Sequence, residues 1–239
     1  MDVEDTSEDF MFINRMEYVC PNSFNIIKAK NVDMVKDLNL KAELLGNFLE
    51  AKKIYSKDYF QAKSWTSTNL FQFFDQLHSY YFETSQLFTN MSQDEYKKLE
   101  IFAGMYRTVH HYSDWNQTRI YTTRIAETFL DELSNKVIDD DIELEYSLFS
   151  ANEEIMMALI STMRLTSFDC LKDRFMKDYE SIYCLDQPDY GSTLVFELSK
   201  ADSSNKKGDG ETSKENNNIP IDDQYYVRVI YNGQPYEFC

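Results

Sequence analysis

The chain has 239 residues, with 24 Lys and Arg against 41 Asp and Glu, a formal charge of −17 and a pI near 4.5. That length buries one substantial core without help from a metal or a disulfide. The acidic balance excludes phosphate-backbone recognition, which requires clustered Lys and Arg, so nucleic acid is not an expected partner. No run approaches the roughly eighteen apolar residues of a membrane span, and the N-terminus has neither the basic flank nor the apolar stretch of a signal peptide.

From the N-terminus, Asp2, Glu4, Asp5, Glu8 and Asp9 stand without one basic residue between them, which reads as a solvated tail over 1–12. The spacing of Leu38, Leu40, Leu44, Leu45, Phe48 and Leu49 predicts a helix over 35–56, with Asp33 as its cap. A second helix, rich in aromatics, follows over 66–88 (Leu70, Phe73, Phe74, Leu77, Tyr81, Leu87). Ser92-Gln93-Asp94-Glu95 has the form of a capping box opening a third, expected to reach Tyr112. The fourth is read over 118–135, its buried side Ile120, Ile125, Phe129, Leu130 and Leu133, ahead of the acidic turn Asp139-Asp140-Asp141. Four helices with short joints make an all-helical layer over 13–137.

Beyond residue 138 the period changes to strand, helix, strand, the pattern of a sheet packed with helices. Alternation of Ile142, Leu144, Tyr146 and Leu148 predicts a strand over 142–149, followed by a helix over 155–164. Further strands are expected at 192–198, 225–231 and 235–238, the last two joined through the tight turn Asn232-Gly233. Ser199 to Asn218 has almost no apolar residue and is assigned no structure.

Three segments, in order, resemble the C-terminal half of the histidine acid phosphatases. Leu144 to Glu154, followed by apolar Ile155 to Ile160, is similar to that family's strand, Ser-Ala-His-Asp-Thr turn and helix. Pro188-Asp189-Tyr190-Gly191-Ser192-Thr193-Leu194-Val195-Phe196-Glu197-Leu198 is similar to its Pro-Pro-Tyr-Ala-Ser-x-Leu-x-Phe-Glu-Leu. Tyr226 to Gly233 is similar to its penultimate strand and hairpin. Upstream, Tyr18-Val19-Cys20-Pro21 and the four helices resemble its helical cap. The fold this implies is α/β, α+β in appearance: the C-terminal part of the phosphatase core sheet over 138–239, under a large all-helical cap over 13–137. The first core strand and its loop would precede Met1.

The resemblance implies phosphomonoester hydrolysis at acid pH, by a histidine in an Arg-His-Gly-x-Arg-x-Pro loop whose arginines neutralise the phosphoryl oxygens. No arginine in the chain is followed by histidine. Where the family has its His-Asp pair, the chain has Asn152 and Glu153. Asparagine brings no positive charge. The longer glutamate displaces the proton by on the order of 1 Å, which can cost about a hundredfold. Read from the residues alone, Asn152, Glu153 and Glu154 are a polar helix start. The expectation is a truncated or degenerate acid-phosphatase-family protein, inactive as it stands and using no cofactor. The alternative is a non-catalytic binding or scaffold protein that self-associates, or meets a protein partner, at the open edge of its sheet.

Other residues take plainer readings. The only histidines, His78, His110 and His111, are assigned to surface or cap packing. As helical neighbours, His110 and His111 diverge by about a hundred degrees and cannot grip one ion. The aromatics Phe71, Phe73, Phe74, Tyr80, Tyr81 and Phe82 are read as core. Four cysteines, none in a CxxC, allow three pairings. The family resemblance implies Cys170 with Cys184 and Cys20 with Cys239, and free thiols are the alternative in a reducing compartment. Asn90-Met91-Ser92 and Asn116-Gln117-Thr118 are glycosylation sequons. With an upstream leader the setting is secretory or lysosomal; without one it is cytoplasmic.

Overall fold

The computed structural model describes residues 29, 31–88, 90–112, 115–138, 146–177, 184–200 and 225–236. The acidic tail, Cys20, Cys239, the acidic turn at 139–141 and the Asn116 side chain lie outside them, as does nearly all of the stretch 199–218. Among the described residues are α1 (Val32–Ala51), α2 (Ser67–Thr84), α3 (Gln93–Arg107), α4 (Trp115–Ile138), α5 (Glu153–Thr162) and α6 (Phe168–Lys177). A 3-10 turn at Lys57–Phe60 follows α1, and a π turn at Thr108–Tyr112 follows α3. Three strands, β1 (Leu194–Lys200), β2 (Tyr225–Tyr231) and β3 (Gln234–Tyr236), form one antiparallel sheet in that order. The fold is thus mixed, with helix predominating and a small sheet. No described helix is long and apolar enough to cross a membrane.

Two compact units divide the chain: residues 1–126 with 149–190, and 127–148 with 191–239. In the first, α3 packs against α1, α2 and α6. Ile101 to Met105 of α3 are buried without interruption, the signature of a helix surrounded by others rather than one facing solvent. Around it lie Leu38, Leu45 and Leu49 of α1, Leu70, Phe73, Phe74 and Leu77 of α2, Ile155 and Ile160 of α5, and Leu171 of α6. Burying each large side chain contributes about 1.5–3 kcal/mol relative to leaving it exposed.

Local chemistry sets the helix starts. Thr66 and Ser92 each accept from the N3 amide while the N3 side chain, Asn69 or Glu95, returns the bond, so α2 and α3 both open with a capping box. At α1 the expected cap is displaced. Asp33 lies inside the first turn, and Asn31 precedes the helix without a side-chain cap, its Nδ2 donating instead to the Val109 carbonyl at 2.5 Å. On α1, Leu40, Leu44 and Phe48 recur at i, i+4, i+8 on the solvent side, 62, 73 and 44% exposed. Leu130 of α4, read as buried, is also exposed. Helix α6 was not foreseen: its few apolar residues are separated by Asp169, Lys172, Asp173 and Arg174.

No strand occurs over 146–149, the described part of the segment 142–149 expected to form one. Residues 142–145 lie outside the described set, and 146–150 are irregular, with Tyr146 and Leu148 74 and 78% exposed. Alternation makes a strand only where a ladder partner covers one face, and none does so among the described residues. In the second unit β1 pairs with β2 from Leu194↔Tyr231 to Lys200↔Tyr225, and β2 pairs with β3 from Val229↔Tyr236 to Tyr231↔Gln234. That register places Leu194, Phe196 and Leu198 on one face with Tyr231, Val229 and Val227. The Phe196 ring lies 5.4 Å from Phe129 of α4. Asn232 and Gly233, at φ 48° and 80°, make the type I′ turn that the strand twist favours. Asn232 Oδ1 accepts from the Thr193 amide at 2.8 Å, closing the end of the sheet.

Cys170 of α6 is joined to Cys184 by a disulfide. Around it, Arg174 Nη1 donates to the Cys184 carbonyl and to Asp186, both at 2.7 Å, and the Leu185 amide bonds to the Leu165 carbonyl at 2.8 Å. Closing a loop of this length removes about 3 kcal/mol of unfolded-state entropy. Replacing both cysteines by serine is expected to lower the thermal midpoint by roughly 6–12 °C, measured by circular dichroism under oxidising conditions. A second expectation concerns Gly46, where an added Cβ would stand 2.1 Å from Trp65 Cγ. Gly46→Ala should destabilise by about 1–3 kcal/mol in urea unfolding despite the better helix propensity of alanine.

Candidate functional site

The site implied by the resemblance lies at the start of α5. Asn152 is the N-cap, its backbone extended and its Oδ1 accepting from the Ile155 amide at 3.0 Å. Glu153 and Glu154 occupy the first turn, where carboxylates complement the helix dipole. The polar-helix-start reading of these residues matches that geometry. It misses their partner, Arg107 at the C-terminus of α3.

Arg107 grips both carboxylates. Its Nε lies 2.7 Å from Glu153 Oε1, its Nη2 donates to Glu153 Oε2 at 2.7 Å, and its Nη1 donates to Glu154 Oε1 at 3.2 Å. The guanidinium stands 4.9 Å over the Phe71 ring, which itself stacks on Tyr106 at 4.4 Å. Tyr112, at the end of the π turn, donates its hydroxyl to the Glu154 carbonyl at 2.8 Å. Burial pushes the Glu153 carboxyl up to about 7; the Arg107 charge opposes that rise, while Asp75 and Glu154 add to it. Burial also holds His111 down to about 4, helped by the neighbouring His110 and Arg107 charges.

A second constellation joins residues far apart in sequence. His78 of α2 is buried, with Nδ1 2.6 Å from the Tyr96 hydroxyl and Nε2 3.1 Å from Asp189 Oδ1. Its ring stacks on Phe74 at 5.2 Å and on Tyr190 at 5.1 Å. Burial pushes the Tyr96 hydroxyl well above its ordinary range, so it remains a neutral partner for the imidazole. Next to Tyr96 on α3, Lys97 bonds to Glu100 and to Asp186, each at 2.7 Å. Burial raises the Glu100 carboxyl against the pull of Lys97. These contacts clamp the segment after the disulfide onto α2 and α3, so His78 is a packing histidine with both nitrogens engaged. The separation of 111 residues between His78 and Asp189 left no local signal of the pair.

The histidines do not converge. His110 and His111 lie in the π turn with ring centroids 6.5 Å apart, and no group of His, Cys, Asp and Glu suited to a metal occurs among the described residues. The aromatic stripe divides: Phe73 and Phe74 are core, whereas Tyr80 and Phe82 are exposed and correct the reading that placed them inside. The chain matches no protein-family model, no curated protein and no solved structure.

Because the Glu153 carboxyl holds its proton to about pH 7 in the fold and to about 4.5 outside it, the folded state binds the extra proton between those values. Stability should therefore fall as pH rises from about 4.5 to 7, and the fall should vanish in Glu153→Gln. Urea unfolding of both proteins across that range reads the difference in slope.

Proposed function

We propose that the chain is a non-catalytic relative of the histidine acid phosphatases, a binding or scaffold protein built on that family's cap and part of its core. The observation that carries this reading is the Arg107 fork. An arginine serving phosphate must present its N–H groups to the anion, and Arg107 commits one N–H of each terminal nitrogen to Glu153 and Glu154. Asn152 spends its oxygen on the helix cap. The chain also contains no Arg-His-Gly segment. As a binding protein its offered surface is the outer edge of β1, Leu194–Lys200, to which no strand pairs among the described residues; a protein partner or a second copy would satisfy those backbone groups.

One observation favours the second reading, phosphomonoester hydrolysis with the attacking histidine supplied by sequence outside these residues. A carboxyl held up to about 7 is protonated at acid pH, as the acid that assists a leaving alkoxide must be.

Hydrolysis of an aryl phosphate at pH 5 separates the two. Neither the chain nor its Asn152→His, Glu153→Asp variant is expected to exceed buffer. Turnover by the unaltered chain would sink the non-catalytic reading and direct alanine substitution to His78, His110 and His111.

A further inference from the structure

The two sequons meet different fates in the fold. Asn90 is exposed, on the turn that leads into α3, and its Nδ2 makes one long contact, 3.4 Å to the Lys52 carbonyl. A glycosylated amide keeps one N–H. Ser92, the hydroxyl residue of the same sequon, is exposed as well, its hydroxyl accepting from the Glu95 amide as the cap of α3. In the other sequon Thr118 is 1% exposed, and its hydroxyl donates inward to the Tyr112 carbonyl at 3.2 Å.

A cleft of about 340 Å³ adjoins Asn90, which is itself part of the lining. Phe88, two residues before Asn90, and Tyr80 of α2 are among its lining, their ring centroids 5.5 Å apart and the rings tilted by 45°. Lys53 and Gln86 supply polar groups at the same cleft. An aromatic face beside hydrogen-bonding side chains is what a pyranose ring requires: its C–H face packs on the ring and its hydroxyls reach the polar groups.

We propose that Asn90 is a site of N-linked glycosylation and that its first sugar seats in the Phe88–Tyr80 cleft. The co-reactant is a polyprenyl-diphosphate-linked oligosaccharide of the secretory lumen. The Asn90 amide nitrogen forms a bond to C1 of the first N-acetylhexosamine. The bond from C1 to the diphosphate oxygen breaks, the diphosphate leaves with the electron pair, and the amide gives up one proton. The Cys170–Cys184 disulfide belongs to the same oxidising compartment. The proposal is independent of whether the chain hydrolyses phosphate.

The test uses the full chain secreted from eukaryotic cells behind a cleavable leader. Release of glycan by an amidase in isotopically labelled water, followed by peptide mass spectrometry, should mark residue 90 as the converted aspartate and leave residue 116 unmarked. Asn90→Gln should abolish the endoglycosidase-sensitive change in mobility, and Asn116→Gln should preserve it. For the seat, protein trimmed to a single sugar should melt roughly 2–4 °C above protein stripped of sugar. Phe88→Ala should remove that difference, and because the Asn-to-Asp change is common to both backgrounds it cancels. A bare Asn90 in the secreted chain, or a sugar at residue 116 alone, overturns the site. Equal melting of the one-sugar and stripped forms, or a difference that survives Phe88→Ala, overturns the seat.

Discussion

Burial of α3 around its circumference is the constraint from which the first unit follows. A helix with apolar residues on every side from Ile101 to Met105 needs neighbours on every side, and α1, α2 and α6 provide them. Gly104 marks how near they come, since a Cβ there would lie 3.3 Å from Leu171 of α6. A surrounded helix also has to settle its polar ends. At its N-terminus Glu95 returns the capping bond to Ser92 and pairs with Lys52; at its C-terminus Arg107 takes two carboxylates from α5. The ion pairs are therefore best understood as terminal fittings of a buried rod. Removing one partner would strand a charge whose other options are poor.

Much of this was readable beforehand, and the parts that were not share a cause. The helical period and the capping boxes lie within a few residues of one another, so Thr66, Ser92 and the Asn232-Gly233 turn announced themselves. Two of the three strands were located to within about two residues, and the third began one residue early. What failed depended on a distant partner. The alternation of Tyr146 and Leu148 is as clean as that of β1, yet among the described residues only β1 has a neighbour to pair with. The exposed ridge of Leu40, Leu44 and Phe48 has the same spacing as a core ridge, and no local rule tells the two apart.

The candidate site shows the same division. Asn152 and the two glutamates could be named from the residues, along with their dipole-complementing role. Arg107 could not, because 46 residues separate it from Glu153 and nothing in its own surroundings marks it. The family resemblance points to this helix end and says nothing of that arginine, which bonds to both carboxyl groups.

The division of the chain into two interleaved units has a consequence for synthesis. The first unit needs residues 149–190 to complete itself, and 127–148 must wait for 191–239. A ribosome emitting this chain in order therefore releases the greater part of the helical unit well before α5 and α6 exist to cover it. The Ile101–Met105 stretch would spend that interval with faces open to solvent and to other nascent chains. Neither unit can be excised by one cut, and a ribosomal pause near residue 148 would hold both unfinished at once.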